Sequence, residues 1–170
     1  AGRFITALIA TYIPMTGHLV MCNAGHPRPL LYRAADKRWT YLDAEHHPQD
    51  DVPRNLPIGV IPDTDYLQFA VHLDTDDLLL TYTDGVTESR PQGGRMLGEA
   101  GLLDMVSTLD VSDAAGILDQ LTRRLHAFTG GVMDHDDVTM MLMSPDGVQP
   151  KRQPLTKQFK VLGKMMGVIG

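Results

Sequence analysis

Positions 4 to 13, Phe-Ile-Thr-Ala-Leu-Ile-Ala-Thr-Tyr-Ile, are apolar and β-branched, which predicts a buried strand, and Pro14-Met15-Thr16-Gly17 supplies a turn. Leu19 to Asn23 follows as its partner strand. After a loop over Ala24-Gly25-His26-Pro27-Arg28-Pro29, residues Leu30 to Arg33 read as extended, Ala34 to Lys37 as a turn, and Trp39 to Leu42 as the returning strand. Successive hairpins of this kind make an antiparallel sheet. Residues 43 to 55 are polar and carry Pro48 and Pro53, a loop signal, before the apolar island Leu56-Pro57-Ile58-Gly59-Val60. From Tyr66 to Leu73 the pattern alternates, with Leu67, Phe69 and Val71 opposite Gln68, Ala70 and His72, as a half-exposed strand requires. Leu78 to Thr83 is a more continuous apolar run, predicting a central strand that ends at Asp84-Gly85.

Helical spacing begins later. Leu102, Leu103, Met105 and Val106 mark a helix over 98–109. Ala114, Ile117, Leu118, Leu121, Leu125 and Phe128 mark a second, with Ser112 as its N-cap and Gly130-Gly131 as its stop. Val138 to Met143 is a last strand, entered through the acidic loop Asp134-His135-Asp136-Asp137. Many antiparallel strands with a helical pair before the last one predict an α+β fold with helices against a sheet.

A length of 170 residues fits one domain with a real core. With 21 acidic and 15 basic residues and a net charge of −6, the chain lacks the basic face that nucleic acid requires. The single cysteine, Cys22, excludes an internal disulfide and a multi-thiolate zinc site and fits a reducing, cytoplasmic setting. No apolar run reaches the roughly 18 residues of a membrane span, and the start lacks the layout of a signal peptide. The opening Ala1-Gly2-Arg3, followed at once by a strand pattern, suggests a piece of a longer protein.

Two carboxylates stand where strands break: Asp84 after one apolar strand and Asp136 before another. Neighbouring strands can bring such ends together, and oxygen donors of this kind suit Mg²⁺ or Mn²⁺ better than zinc. Gly85 permits a sharp turn beside an ion. Asp-Gly is equally an ordinary turn and Asp-Asp an ordinary strand entry, so composition alone leaves both readings open.

Three segments together carry a resemblance: Asn23-Ala24-Gly25-His26-Pro27-Arg28-Pro29-Leu30-Leu31, Leu78-Leu79-Leu80-Thr81-Tyr82-Thr83-Asp84-Gly85-Val86-Thr87-Glu88, and Asp136-Asp137-Val138-Thr139. Phe4-Ile5-Thr6-Ala7 and Leu56-Pro57-Ile58-Gly59 match in place and order. The chain resembles the SpoIIE/RsbU-type branch of the PPM (type 2C) metal-dependent protein serine/threonine phosphatases over about residues 3 to 144. The resemblance implies a β-sandwich of largely antiparallel sheets flanked by helices. Residues 1–146 would be the C-terminal portion of the phosphatase domain and 147–170 a basic linker or the start of a further region. It implies a pair of Mn²⁺ or Mg²⁺ ions, with Asp84 and Asp136 as ligands and Gly85, Asp137, Thr139 and His26 in support. Family motifs with the pattern Gly-Asp-Phe-Tyr-Asp and Asp-Val-x-Gly-His-Gly, expected before residue 4, are absent from these 170 residues. The sandwich is therefore expected to be N-terminally incomplete and the fragment by itself inactive. The implied substrate is a phosphoserine or phosphothreonine on a regulatory protein of the anti-sigma-factor-antagonist type. Relatives are also known to dimerise and to carry sensor or receiver domains in front.

The other candidates read as structural. His26 could act as a general acid, but a histidine that ties down a Gly-Pro loop is the simpler reading; Arg28 could meet a phosphate, and otherwise is a solvated loop residue. Asp43, Glu45, His46, His47, Asp50 and Asp51 have no metal-ligand spacing, and Asp74, Asp76 and Asp77 read as a turn. The tail from Lys151 carries five basic residues and no acid, as a linker or a surface-binding helix would. Two rivals to the phosphatase remain: a non-catalytic module that binds the same partner, and a metal-dependent hydrolase of small phosphates.

Overall fold

A computed structural model describes residues 3–43, 54–131 and 137–147. Among these residues seven strands and three α-helices follow in order: β1 (Ala7–Ile13), β2 (His18–Ala24), β3 (Leu30–Arg33), β4 (Arg38–Tyr41), β5 (Gln68–His72), β6 (Leu78–Tyr82), α1 (Asp84–Glu88), α2 (Gly98–Ser107), α3 (Ile117–Thr129) and β7 (Met140–Met143). They form two antiparallel sheets with strand orders β1-β2-β5 and β4-β3-β6-β7.

The layers follow from side-chain alternation. In β3 and β6, Leu31 and Leu79 point toward the first sheet and pack with Leu19, Met21 and Leu73, with Leu8, Tyr12 and Phe69 around them. Leu30, Tyr32, Leu78, Leu80 and Tyr82 point the other way and meet Val86 of α1, Leu102 and Val106 of α2, and Ile117, Leu121 and Leu125 of α3. The result is sheet on sheet on helices. Because β6 is covered on both faces, its sequence is a continuous apolar run rather than an alternating one. In α3, Ile117, Leu121, Leu125 and Thr129 form one buried stripe four residues apart. Gly130, with φ of 71°, stops the helix as expected.

Three expectations are corrected. The first strand starts at Ala7 and, among the described residues, is an edge strand rather than a buried one. Leu8 and Tyr12 reach the core, while Ile9 is 65% exposed. β-branched residues record extended backbone, not burial. The sixth strand stops at Tyr82, and Asp84 opens a short helix rather than ending a strand. Ser89 closes that helix and is buried, its Oγ donating to the carbonyl of Gly85 at 2.7 Å. The cap before α3 is Asp113, not Ser112: its carboxylate accepts from the Ala115 N–H of a 3₁₀ turn, Ala114–Gly116, that leads into the helix.

Among the described residues no helix is long and apolar enough to cross a membrane. The basic tail lies outside the described residues, as do Glu45, His46, His47, Asp50 and Asp51.

Candidate metal centre

The site is built at the end of the sandwich where β6 leaves and β7 enters. The β6–β7 pairing continues past its last paired residues, Tyr82 and Met140, through Thr83. The Thr83 N–H donates to the Thr139 carbonyl at 3.0 Å. The Thr83 hydroxyl accepts from the Thr139 N–H at 2.9 Å and donates to the Asp137 carbonyl at 2.9 Å. One side chain therefore uses both its donor and its acceptor to clamp two chain segments separated by 54 residues.

Asp84 follows directly. It is exposed, stands at the first position of α1, and its Oδ1 accepts from the Gly85 N–H at 3.2 Å. Gly85 is buried against the opposite segment: a Cβ there would lie 2.9 Å from the Asp137 carbonyl oxygen and 3.3 Å from Val138. Glycine is required here for close approach of two backbones, not for an unusual dihedral. Asp137 is exposed at the same edge. Asp136, the second expected ligand, lies outside the described residues. Its chain neighbour Asp137 is the residue clamped by Thr83, and that clamp is what brings the Asp84 turn to the Asp137 segment.

Thr139 supports the turn through its backbone, by its carbonyl and its N–H, both bonded to Thr83. His26 enters from the crossover between the sheets. Asn23 holds that crossover with both ends of its amide: Nδ2 donates to the His26 carbonyl at 2.9 Å and Oδ1 accepts from the His26 N–H at 2.8 Å. Gly25, with φ of 69°, lies so close to Pro57 that a Cβ would fall 2.4 Å from its ring. Ile5 and Ile58 bond each other in both directions, at 2.9 and 2.8 Å, and fasten the Leu56–Gly59 island to the same corner. The His26 ring contacts the Thr6 hydroxyl at 3.5 Å and lines a cavity of about 240 Å³ between the sheets, with Thr81, Met21 and Met141. The loop is thus tied down by Asn23 and by the backbone of His26; the imidazole itself faces the space between the sheets.

Arg28, read as a solvated loop residue, keeps a 40% exposed side chain but is paired with carboxylates. Its guanidinium grips Glu99 with two nitrogens, reaches Asp43 at 3.4 Å and lies 4.7 Å over the Tyr41 ring. Glu99, through these hydrogen bonds, raises the Arg28 pKa further above its ordinary value, so the group stays charged. Asp77 is structural as expected. It is 2% exposed and accepts from the Ala34 N–H, the Asp74 N–H and Arg33. Thr83, Asn23 and Ser89 are residues to which sequence reasoning gave no part in the site. A threonine before Asp-Gly at a strand end was the available signal for the first of them.

A hard divalent cation fits the donor chemistry of this edge. Asp84 offers an exposed carboxylate whose one described hydrogen bond is the Gly85 N–H, and no cationic side chain among the described residues is within ion-pair distance of it. Among the described residues, however, no three His, Cys, Asp or Glu side chains converge on one point. A complete ligand set needs donors beyond these.

Comparison with known proteins agrees with this architecture. The chain is 27% identical over 143 residues to phosphoserine phosphatase RsbU of Bacillus subtilis, covering 84% of this chain and 39% of that protein. Among solved structures, the phosphatase domain of the cell fate determinant SpoIIE from Bacillus subtilis superposes with a TM-score of 0.62 at 18% identity, over 86% of this chain and 59% of that one. The RsbU and RsbW domains of Rv1364c from Mycobacterium tuberculosis superpose with a TM-score of 0.63 at 28% identity, over 85% of this chain and 37% of that one. The sandwich is the fold of these phosphatase domains, and the chain spans about two fifths of the curated relative. The profile of the family described as Stage II sporulation protein E (SpoIIE) matches residues 1–146, and the chain belongs to that family.

Proposed function

We propose that residues 1–146 contribute the C-terminal portion of a metal-dependent phosphatase domain. It removes phosphate from a serine or threonine of a regulatory protein, of the anti-sigma-factor-antagonist class. The observation that carries this reading is the Thr83 clamp, which sets the Asp84 turn against the segment of Asp137, next in sequence to Asp136. The kinship with a phosphoserine phosphatase adds to it.

Asp84 and Asp136 would hold Mn²⁺ or Mg²⁺, with Asp137, Gly85 and Thr139 shaping the turn. The bound ions would neutralise the phosphate dianion and acidify the attacking water, with no covalent enzyme intermediate. The chain's own contribution is to hold the Asp84 carboxylate at a fixed edge. His26, with its ring in the cavity between the sheets, shapes that space. The protein would work in the cytoplasm, and residues 147–170 would lead to a further region.

The test is Asp84→Asn and, separately, Asp136→Asn in the full-length protein. Either substitution should lower kcat/KM for Mn²⁺-dependent release of phosphate from a phosphoserine protein by about 100-fold or more, with circular dichroism unchanged. Undiminished turnover in both variants would remove the site assignment. Turnover of nucleotides or p-nitrophenyl phosphate in place of phosphoprotein would instead favour a small-phosphate hydrolase. Partner binding without any Mn²⁺-dependent turnover in the parent would favour a non-catalytic module.

A further inference from the structure

Arg28 lies two residues from His26, in the loop that crosses between the sheets, and it grips Glu99, the second residue of α2. Its partners come from three places. Glu99 accepts from Nε at 3.2 Å and also from Nη2, Asp43 accepts from Nη1 at 3.4 Å, and Tyr41 offers its ring. Tyr41 also donates its hydroxyl to the Glu99 backbone carbonyl at 2.7 Å, so the start of α2 is held twice.

From that anchor a chain of bonds leads back to the metal edge. Just before α2, the Leu97 N–H donates to the Ser89 carbonyl at 2.8 Å. Ser89, 7% exposed, donates its hydroxyl to the Gly85 carbonyl at 2.7 Å. The loop between α1 and α2 is thereby closed at both ends, against the Asp84–Glu88 turn at one and against Arg28 at the other. An exposed ion pair by itself normally contributes little to stability. A two-nitrogen grip shared with a second carboxylate and a ring fixes geometry instead.

We propose that Arg28 is a positioning residue of the Asp84 site: by holding Glu99 it fixes the Ser89–Glu99 loop and, through Ser89, the α1 turn that presents Asp84. This rests on the reading that Asp84 helps hold a divalent cation.

The experiment measures the Kd for Mn²⁺ of the full-length protein by calorimetry, for Arg28→Ala, Arg28→Lys, Glu99→Gln, the double variant Arg28→Ala/Glu99→Gln, and Asp84→Asn. Arg28→Ala should weaken Mn²⁺ binding about 10-fold, as loss of groups that orient ligands does. Arg28→Lys, with charge but no planar fork, should fall between it and the parent. The double variant should bind within about twofold of Arg28→Ala alone, because both changes break one interaction. A merely structural ion pair would lower the thermal midpoint and leave the Kd of the folded protein where it was; that result in Arg28→Ala, or in Glu99→Gln if Arg28→Ala does not fold, overturns the proposal. If Asp84→Asn weakens Mn²⁺ binding and the Arg28 and Glu99 variants do not, only the positioning role falls. If Asp84→Asn leaves the Kd unchanged, the metal reading falls and the positioning role with it.

Discussion

A Cβ on Gly85 would sit 2.9 Å from the carbonyl oxygen of Asp137. Residues far apart in sequence are held at this distance by Thr83, two residues before Gly85, whose hydroxyl reaches across the gap to the Asp137 carbonyl and the Thr139 N–H. The closeness is therefore imposed by a hydrogen-bonded frame rather than by loose packing.

Gly85→Ala should accordingly act by overpacking. The backbone of residue 137 has little freedom to retreat, and the expected loss is about 1 to 3 kcal/mol of stability with weakened Mn²⁺ binding. Urea denaturation of the variant checks the first and calorimetry the second. An alanine variant as stable and as tight as the parent would show that the two segments separate at no cost.

Asp77 serves a corner of the opposite end of the sandwich. Its carboxylate accepts from the Ala34 and Asp74 backbones and from Arg33, which also donates to the His72 carbonyl at 2.6 Å. Asp77→Ala strips three donors of their acceptor in a buried place and should cost about 3 kcal/mol, measured by chemical denaturation. Mn²⁺ affinity should stay at the parent value, since the corner lies at the start of β6 and the candidate centre beyond its end.

Tyr82 supplies an alkaline limit. Burial raises its pKa above the ordinary tyrosine value, with the neighbouring Tyr41 hydroxyl adding to the effect. That neighbour donates to Glu99 instead, and the Tyr82 hydroxyl has no hydrogen-bond partner among the described residues. The raised group stabilises the fold below the unfolded-state value of about 10. Above that value the unfolded chain ionises first, so stability falls as pH rises toward the higher folded-state value. Tyr82→Phe should flatten this limb and cost less than about 1 kcal/mol at neutral pH, because no hydrogen bond is lost. A larger loss at pH 7, or an unchanged alkaline limb, would contradict it.

Periodicity alone located nearly every strand and the stripe of α3, because alternation and four-residue spacing are local consequences of backbone geometry. The Thr-Asp-Gly and Asp-Asp-x-Thr motifs marked which loops to compare. Local pattern could not say that β5 joins β2 while β6 joins β3, nor that β1 lies at an edge with Ile9 in solvent. Those outcomes depend on which of several compatible apolar faces meet, a choice made by packing across the whole sandwich. The partners of Arg28 show the same limit, since Glu99 lies 71 residues away and nothing near Arg28 in the chain encodes it. Sequence determined the elements and the acidic turns; tertiary structure decided their neighbours, because hydrogen bonds and ion pairs are set by distance in space and not by separation along the chain.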